Sequence, residues 1–489
     1  MSLNKFNVIS IQLIIVAMVG ILSMVSHSIY CPGRSAAIIW LSAFVLWIQL
    51  LWMCYSWAIL RKNFYDPYAL ILIMILITHG GIPLLTLFSI APDIRSIFTY
   101  RWIASIKDIN VIMGNYLIAV SCAFMHLGAS IALLHNKPPD YSVSRNSEHI
   151  LKIAGLFFVI ISIIPAFLLI SKIWSAYSSL GYLAYFSERH DVSTWSINLA
   201  PFLLVGSYYL FVSTNRFDKI KILSLILICG YCIGFLIIGS RSRALLPIIA
   251  MVWLAQRYSN VIRRSLRWGV PVLLPVGVIV TYFISVSRLD PSLSFFDVIC
   301  NPSPLGDAMR KALSQYGMYS HIVYTVLENV PSNIDFTWGR SYLNCVFFVI
   351  PNLFFERSTH WGVDFSVQNW LVKDYLYPIL RVNPDHNVGW SFVAEGYQAF
   401  GWLGVPIIQC LLGYGIGYLS RLSDSRNPVV LASVACVLPY LLFFPRTTSW
   451  GTVRSVVWYG FLPLIFLWFL SKVRTHPGQV ESYSAFRGY

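Results

Sequence analysis

Charge is scarce in this chain. Asp, Glu, Lys and Arg make up 11% of its 489 residues, whereas ordinary soluble domains carry about 25%. Apolar residues make up 57% of the chain, and its mean hydropathy is +0.67. Because so few charges cannot cover a folded chain of this size in water, a soluble globular protein is excluded. The composition predicts an all-α polytopic membrane protein.

Sequence motifs for nucleotide, zinc and hydrolase chemistry are also missing. The chain has no P-loop, no GxGxxG, no GxSxG, no HExxH and no paired set of Cys and His. A metal-dependent sugar transferase would require paired acidic residues, but the candidates Asp364, Asp374 and Asp385 are scattered. We therefore expect no metal and no cofactor, so that an enzyme of this kind must take its free energy from its substrate.

The basic residues do not form a face or an arm. Lys and Arg outnumber Asp and Glu by 35 to 20, and the net charge is +15. A nucleic-acid-binding protein would concentrate these cations on one surface, but here they are scattered over short segments between apolar runs. That pattern is typical of membrane topology, and we expect no nucleic-acid partner. Some of the cations could serve a polyanionic lipid substrate.

Apolar runs predict the transmembrane organisation. A spanning helix needs about 20 apolar residues, and this rule predicts about twelve helices, nine within residues 1–287 and three within 391–489 before a short tail. Between them, 288–390 forms one large outer loop, whose apolar parts predict short interfacial or re-entrant helices. The predicted spans are 8–25, 37–60, 68–91, 109–134, 151–171, 196–213, 222–239, 243–256, 269–287, 391–420, 428–445 and 451–470.

The distribution of Lys and Arg predicts the orientation. Short segments on the side of the N-terminus carry 18 of these residues, and short segments on the opposite side carry 10. Since cytoplasmic segments carry the excess, both termini are predicted to be cytoplasmic and the loop 288–390 to lie outside. Cys300 and Cys345 lie in that loop and could form a disulfide if it faces an oxidising compartment.

Two arginines flank a tight turn in the sequence GSRSRA at 239–244. Arg241 and Arg243 fall on the predicted outer side, where basic residues are less common. The planar guanidinium group donates two parallel hydrogen bonds to a phosphate and keeps its charge at all relevant pH values. Arg241 and Arg243 are therefore candidates for holding a phosphate group. The alternative is that both are anchors at a helix end, and the sequence favours neither.

The sequence DHNVGWSFVAEGYQ at 385–398 places ionisable residues where the outer loop turns back into apolar sequence. His386 titrates near neutrality and could accept a proton from a hydroxyl group, with Asn387 orienting its ring. Glu395 lies in the following predicted span, where a carboxylate is costly and suggests a functional site. Tyr397 is a further candidate for substrate binding. The alternatives are a solvated loop histidine and an interfacial carboxylate hydrogen-bonded to a neighbour.

Further cations lie on the predicted outer side. Arg446 is in FFPRTTSWG, and Arg454 is in the last predicted span, where it should face the interior of the bundle or a wet cavity. Arg340 is another candidate, with ordinary surface charge as its alternative. His79, in THGGIP, lies within a predicted span beside a proline that predicts a kink, and structural hydrogen bonding is the expected role.

Three segments resemble the O-antigen polymerase (Wzy) family of oligosaccharide repeat-unit polymerases. They are GSRSRALLP at 239–247, FTWGRSYLN at 336–344 and FVAEGYQAFGWLGV at 392–405. The last is similar to the segment with Glu and Phe-Gly-x-x-Gly that follows the large loop in these polymerases. The related O-antigen ligases carry His, then Asn, Ser or Gln, then nine residues before Gly-x-x-Gly, whereas thirteen residues follow Asn387 here.

The resemblance implies metal-independent, inverting glycosyl transfer at the periplasmic face of the bacterial inner membrane. The donor would be a glycan on undecaprenyl pyrophosphate, and the acceptor a lipid-linked repeat unit. Arg241 and Arg243, with Arg446 or Arg454, would stabilise the leaving pyrophosphate, and His386 or Glu395 would be the base. A chain-length regulator and a flippase are implied as partners. The alternatives are a twelve-helix flippase or other transporter, an O-antigen ligase, and a membrane acyltransferase.

Overall fold

The computed structural model describes ten stretches of the chain, and those stretches form helices and no strand. The all-α polytopic prediction is confirmed. The described residues are 5–32, 35–61, 65–90, 106–134, 147–187, 193–214, 218–258, 305–350, 369–376 and 389–473.

Sixteen α-helices and three short irregular helices make up the described residues. The α-helices are α1 (Lys5–Ser28), α2 (Ser35–Arg61), α3 (Pro67–Leu87), α4 (Asp108–Ala132), α5 (Ser147–Ser187), α6 (Thr194–Leu199), α7 (Phe202–Val212), α8 (Lys219–Ile237), α9 (Arg241–Tyr258), α10 (Leu305–Gly317), α11 (Tyr319–Asn329), α12 (Arg340–Val349), α13 (Phe392–Leu422), α14 (Pro428–Phe443), α15 (Ser449–Val456) and α16 (Leu462–Val473). The π-helical segments are Leu371–Leu376 and Val457–Phe461, and a 3₁₀ turn covers Phe444–Arg446.

Ten helical segments among the described residues are long and apolar enough to cross a membrane. They coincide with the first seven and the last three of the predicted spans. The predicted span 243–256 lies on α9, which contains three arginines within its 18 residues and does not meet the same limit on charge. The predicted span 269–287 lies outside the described residues.

Helices α4 and α13 form the most extensively packed helix pair of the described bundle. Small residues allow their backbones to approach closely. A Cβ atom at Gly417 would lie 2.7 Å from the Ala129 carbonyl oxygen, and one at Gly128 or Gly413 would collide with the backbone of the facing helix. The glycines of α13 therefore set the contact at the centre of the fold.

Helix α13 is broken at Phe400 and Gly401, whose backbone angles are not helical. Gly401 has φ +64° and ψ −156°, a region open almost only to glycine. Three residues later, Gly404 leaves the space that the Phe400 side chain occupies, because a Cβ there would collide with it. The Phe-Gly-x-x-Gly sequence therefore has a physical reason: one glycine makes the break and the other accommodates the phenylalanine.

The two halves of α13 fold back on each other. The Gln409 side-chain amide donates to the Phe392 carbonyl oxygen at 3.1 Å across 17 residues, a separation of about 25 Å along a straight helix. Residues 392–399 are therefore a short re-entrant half, and the remainder of α13 is the spanning half. The predicted span 391–420 was expected to be one helix, but residues 392–399 turn back. All eight of these residues are buried, as such backbone requires within a membrane.

Consecutive spans run in opposite directions and define two ends of the bundle. At the first, called the Arg61 end, Arg61 forms ion pairs with Asp66 and with Asp424, which follows α13. The opposite end, called the Arg446 end, contains the start of α9, the start of α15 and the break in α13. The candidate site residues that the structure describes lie at the Arg446 end.

Candidate active site

The re-entrant half begins at Ser391, and a histidine from α3 holds it there. The Ser391 hydroxyl caps the helix by accepting from the Ala394 amide, and it forms a hydrogen bond of 2.8 Å with His79 Nε2. On the other side of the ring, His79 Nδ1 lies 2.9 Å from the Thr78 hydroxyl. His79 is fully buried. The structural hydrogen bonding expected of this residue is present, and it fixes the position of the re-entrant half.

The start of the re-entrant half lies well inside the bundle. Gln409, which contacts Phe392, follows Trp402 by about 10 Å along the spanning half of α13. His79, which contacts Ser391, precedes the end of α3 at Leu87 by about 12 Å. The two distances agree. Residues 389–391 therefore lie about 10 Å inside the bundle from the Arg446 end, and the re-entrant half runs from there back toward that end, where α13 breaks.

Glu395 is fully buried in the re-entrant half. Its Oε2 accepts a hydrogen bond of 2.8 Å from the backbone amide of Ser449, the first residue of α15. A carboxylate at this place satisfies an amide without a helical partner and complements the helix dipole. Oε1 has no hydrogen-bond partner in the described part of the chain, and the Ser341 hydroxyl, which also has none, faces the same carboxyl group. Glu395 therefore joins the re-entrant half to α15 with one oxygen, and its carboxyl group also faces Ser341 on α12.

Arg241 and Arg446 each contact residues at the junction of α10 and α11. Arg241 Nη1 donates to the Gln315 amide oxygen at 3.3 Å and to the Tyr316 hydroxyl at 3.2 Å. The guanidinium group of Arg446 lies over the Tyr319 ring, 5.8 Å from its centroid, and over Phe443 at 4.7 Å. Because Tyr316 and Tyr319 flank one turn of chain, two arginines that are distant in sequence are held beside one short segment.

The segment THGGIP of α3 holds that junction in place. A Cβ atom at Gly81 would lie 2.7 Å from the Leu313 carbonyl oxygen, and one at Gly317 would lie 2.7 Å from the Ile82 amide. The Ser320 hydroxyl donates to the His79 carbonyl oxygen at 2.8 Å. The segment THGGIP therefore positions both the junction of α10 and α11 and the re-entrant half. Sequence reasoning missed this function, although His followed by two glycines and a proline in an apolar span was a signal.

Gly389 brings the chain against Arg446. Its φ is +82°, and a Cβ atom would lie 2.7 Å from the Tyr319 ring and 3.0 Å from the Arg446 carbonyl oxygen. The next residue, Trp390, donates its backbone amide to the same carbonyl oxygen at 3.3 Å. Only glycine fits this position without strain. His386 and Asn387 precede it and lie outside the described residues.

The other two predicted phosphate ligands diverge from this cluster. Arg243 lies over the Phe235 ring, 5.3 Å from its centroid, and Arg454 Nη2 donates to the Asn198 amide oxygen at 2.9 Å. Both also act electrostatically on Tyr459. The structure thus groups Arg241 with Arg446 and Arg243 with Arg454. Adjacent positions in the sequence did not indicate this division, because Arg241 and Arg243 leave the first turn of α9 toward different neighbours.

The remaining predicted residues of the site take separate places. Arg340 begins α12 and is exposed, whereas Tyr397 is buried, donates to the Val330 carbonyl oxygen at 3.4 Å and packs against aromatic rings. Cys345 is a free thiol, and burial raises its pKa to about 12. It is therefore protonated near neutral pH. Cys300 lies outside the described residues, which also contain no group of His, Cys, Asp and Glu suited to a metal ion.

A comparison with known families decides the identity. The family model described as O-antigen polysaccharide polymerase Wzy matches residues 8–476, nearly the whole chain. The chain belongs to this family. The resemblance recognised in three sequence segments is confirmed. No curated protein and no solved structure matches the chain.

Membership of the Wzy family establishes the general activity. The chain is an integral protein of the inner membrane and a polymerase of O-antigen polysaccharide, which acts on lipid-linked repeat units in the membrane. In this Wzy-family chain, Glu395 is buried in the re-entrant half of α13, the Arg446 carbonyl oxygen accepts from the Trp390 amide just before it, and Arg241 and Arg446 contact neighbouring tyrosines. Cations suit a phosphorylated lipid carrier, and a carboxylate suits proton transfer from a sugar hydroxyl.

Proposed function

We propose that the chain polymerises repeat units of O-antigen, or of a similar surface polysaccharide, that are carried on undecaprenyl pyrophosphate. The observation that carries this proposal is the convergence of Arg241 and Arg446 on the Tyr316–Tyr319 junction, beside the re-entrant half that contains Glu395. The transfer inverts the anomeric centre and requires no metal. A flippase supplies the lipid-linked units, and a chain-length regulator sets the length of the product.

The reaction is a displacement at the anomeric carbon of the donor. A hydroxyl oxygen of the acceptor repeat unit forms a bond with that carbon while the bond from carbon to the pyrophosphate oxygen breaks. The electron pair leaves with undecaprenyl pyrophosphate, and the hydroxyl proton passes to a base. The lengthened glycan remains on the lipid carrier of the acceptor.

Arg446 and Arg241 stabilise the leaving pyrophosphate. Within the described residues, Arg446 forms no ion pair, and its Nε has no hydrogen-bond partner. The rings of Tyr319 and Phe443 cover faces of its guanidinium group, so the N–H edge is oriented in advance for phosphate oxygens. Fixed cations at a place where charge develops lower the barrier because they need no reorganisation during the reaction.

Glu395 or His386 takes the proton of the acceptor hydroxyl. In support of Glu395, its Oε1 has no partner among the described residues while Oε2 is fixed by the Ser449 amide. Ser449 and Arg446 are three residues apart in one turn between two helices. The base and the phosphate ligand are thereby held at a constant separation, as a concerted displacement requires.

The Arg446 end faces the periplasm in this proposal, and both termini face the cytoplasm. The excess of Lys and Arg in short segments on the side of the N-terminus supports this orientation. Ser332, which is exposed and follows α11, provides a test once Cys300 and the exposed native Cys31 and Cys229 are replaced by serine. Ser332→Cys should be labelled by an impermeant thiol reagent in intact spheroplasts, and Arg426→Cys only after lysis. The reverse pattern would invert the topology.

The test of function is the lipopolysaccharide ladder of a strain that lacks the gene. Loss of the long bands, with the band of core plus one repeat unit retained, is the expected result and excludes both a flippase and a ligase. Loss of every O-antigen band would instead assign flipping or ligation to this chain. An unchanged ladder would contradict any role in this polymer.

A further inference from the structure

An apolar groove runs along α4 on the surface of the bundle. Its larger part has a volume of about 530 Å³ and lies between α1, α4 and Trp402. Its smaller part, of about 300 Å³, lies between α4 and the spanning half of α13. Phe124 lines both parts, so they are adjacent along α4 and are together called the α4 groove.

The α4 groove begins at the Arg446 end and runs into the membrane. Its first wall residue on α4 is Met113, one turn after the start of the helix, and its last is Leu127. These residues are about 21 Å apart along the helix, which is about two thirds of the hydrocarbon thickness. His27 and Ser28, at the end of α1, lie at the rim. The groove is therefore polar at its rim, and its walls are mainly apolar along the rest of its length.

The groove borders the re-entrant half that contains Glu395. Trp402, which lines the groove, directly follows the break in α13. Its ring contacts that of Tyr397 edge to face, with the centroids 6.1 Å apart, and Tyr397 is two residues from Glu395. The groove and the segment that contains Glu395 are therefore in contact through Trp402 and Tyr397.

We propose that the α4 groove binds the isoprenoid tail of the lipid carrier of one substrate while the pyrophosphate reaches Arg446. This inference rests on the proposed function, because it is the lipid carrier that gives the substrate a tail. An isoprenoid chain has no hydrogen-bonding group, which matches the apolar walls below the rim. Gly20 leaves open space within 4 Å, so that a chain with methyl branches can pass over α1 at this position.

Selectivity for the tail must come from shape. In a membrane, the tail exchanges a lipid environment for the groove, so that hydrophobic transfer contributes little. Packing of the branched chain against Phe124, Met113 and Trp402 gains dispersion contacts that a straight acyl chain makes less well. The groove should therefore prefer polyprenyl chains over phospholipids.

The experiment uses the full-length protein in lipid nanodiscs and a polyprenyl pyrophosphate without sugar that carries a diazirine in its tail. Photolysis should label the groove walls on α1 and α4. Gly20→Trp fills the groove and should lower this labelling about tenfold, which corresponds to about 1.4 kcal/mol of lost packing. Gly20→Leu should have a smaller effect in the same direction, which guards against a folding defect in the larger variant.

The matched controls are Gly230→Trp and Gly415→Trp. Both glycines also have open space around the added atom, and neither lines the groove. Neither substitution should change labelling of the groove walls. A fall equal to that of Gly20→Trp would contradict the proposal, as would equal labelling by a phospholipid that carries diazirine in its acyl chain.

The outcomes separate this inference from the proposed function. Groove labelling that resists Gly20→Trp, in a strain whose ladder requires the gene, would overturn the groove alone. Labelling lost in Gly20→Trp, with a ladder that does not require the gene, would overturn the proposed function and leave the groove as a binding site for isoprenoid lipids.

Discussion

Arg61 and Arg446 lie at opposite ends of the bundle and have opposite surroundings. Arg61 donates to Asp66 at 3.0 Å, to both carboxylate oxygens of Asp424 at 2.7 and 2.8 Å, and to the Ser420 carbonyl oxygen at 2.8 Å. Arg446 lies over the rings of Tyr319 and Phe443 and forms no ion pair within the described residues. The protein supplies counter-ions to the first arginine, whereas the described residues supply none to the second.

The carboxylates at the two ends, Asp66 and Glu395, also differ in how fully the protein satisfies them. Asp66 accepts from Arg61, from the Trp57 indole and from the Tyr68 amide, so both of its oxygens are used. Glu395 uses one oxygen on the Ser449 amide, and its other oxygen has no partner in the described part of the chain. Incompletely satisfied charges in a buried place are costly, and proteins retain them chiefly at functional sites. The comparison supports a structural Arg61 end and a functional Arg446 end.

Arg446→Ala should have the largest effect. Removing a fixed cation from a leaving group should lower polymerisation about 10²–10³-fold, while the amount of protein in the membrane stays close to that of the wild type. The measurement is the length distribution of the glycan against the amount of protein. Arg446→Lys should also be impaired if two parallel hydrogen bonds are needed. Full activity of the lysine variant would reduce the role to simple charge, and full activity of the alanine variant would remove Arg446 from the mechanism.

Glu395→Gln should lower polymerisation about 10²-fold if Glu395 is the base. Glutamine retains an oxygen that can accept from the Ser449 amide, so the hydrogen bond to α15 should remain and the protein should stay folded. Glu395→Ala also removes this hydrogen bond and should therefore lower stability as well. If the glutamine variant polymerises normally, Glu395 is a helix cap only and the base lies elsewhere.

Arg61→Ala tests the other side of the comparison. It leaves Asp66, which is fully buried, without its ion pair, and this should destabilise the protein by about 3–5 kcal/mol. Turnover per folded molecule should change less than about twofold, since small changes away from the site seldom couple to it. Thermal unfolding of the purified protein and polymerisation normalised to folded protein measure the two effects. A large loss of normalised activity would contradict a purely structural Arg61 end.

Most of the spans could be predicted from the sequence because a spanning helix needs about 20 consecutive, mainly apolar residues, and such a run is visible in the hydropathy. It also selected Arg241 and Arg446 as candidates, but it did not predict that both contact one short segment. That segment contains Tyr316 and Tyr319 and was predicted to be part of an outer loop. The long-range contact of His79 with Ser391, across 312 residues, leaves no local signal either.

The break in α13 shows a different limit. Small residues in apolar sequence usually provide surfaces for helix packing, so the glycines of Phe-Gly-x-x-Gly do not by themselves predict a break. The pattern of apolar residues along the chain does not show that a single residue, Gly401, adopts a φ of +64°. Yet that residue determines whether the carboxylate of Glu395 lies on a straight helix or on a re-entrant half beside Arg446.

His79→Leu tests the position of the re-entrant half, and it has a matched control. The substitution removes the hydrogen bond with Ser391 and should destabilise the protein by about 1–3 kcal/mol. It should also loosen the start of the re-entrant half and lower turnover per folded molecule about tenfold, since small displacements of reacting groups are costly. His79 is here a positioning residue that acts through Ser391.

The control is His126→Leu. His126 is also fully buried and forms two side-chain hydrogen bonds, with Ser56 at 2.8 Å and with Tyr68 at 3.2 Å, but it lies toward the Arg61 end. Its loss should lower stability by a similar amount and leave turnover per folded molecule unchanged. Equal falls in turnover for both variants would mean that His79 contributes stability alone. A fall confined to His79→Leu would assign the difference between the two ends to the position of the re-entrant half.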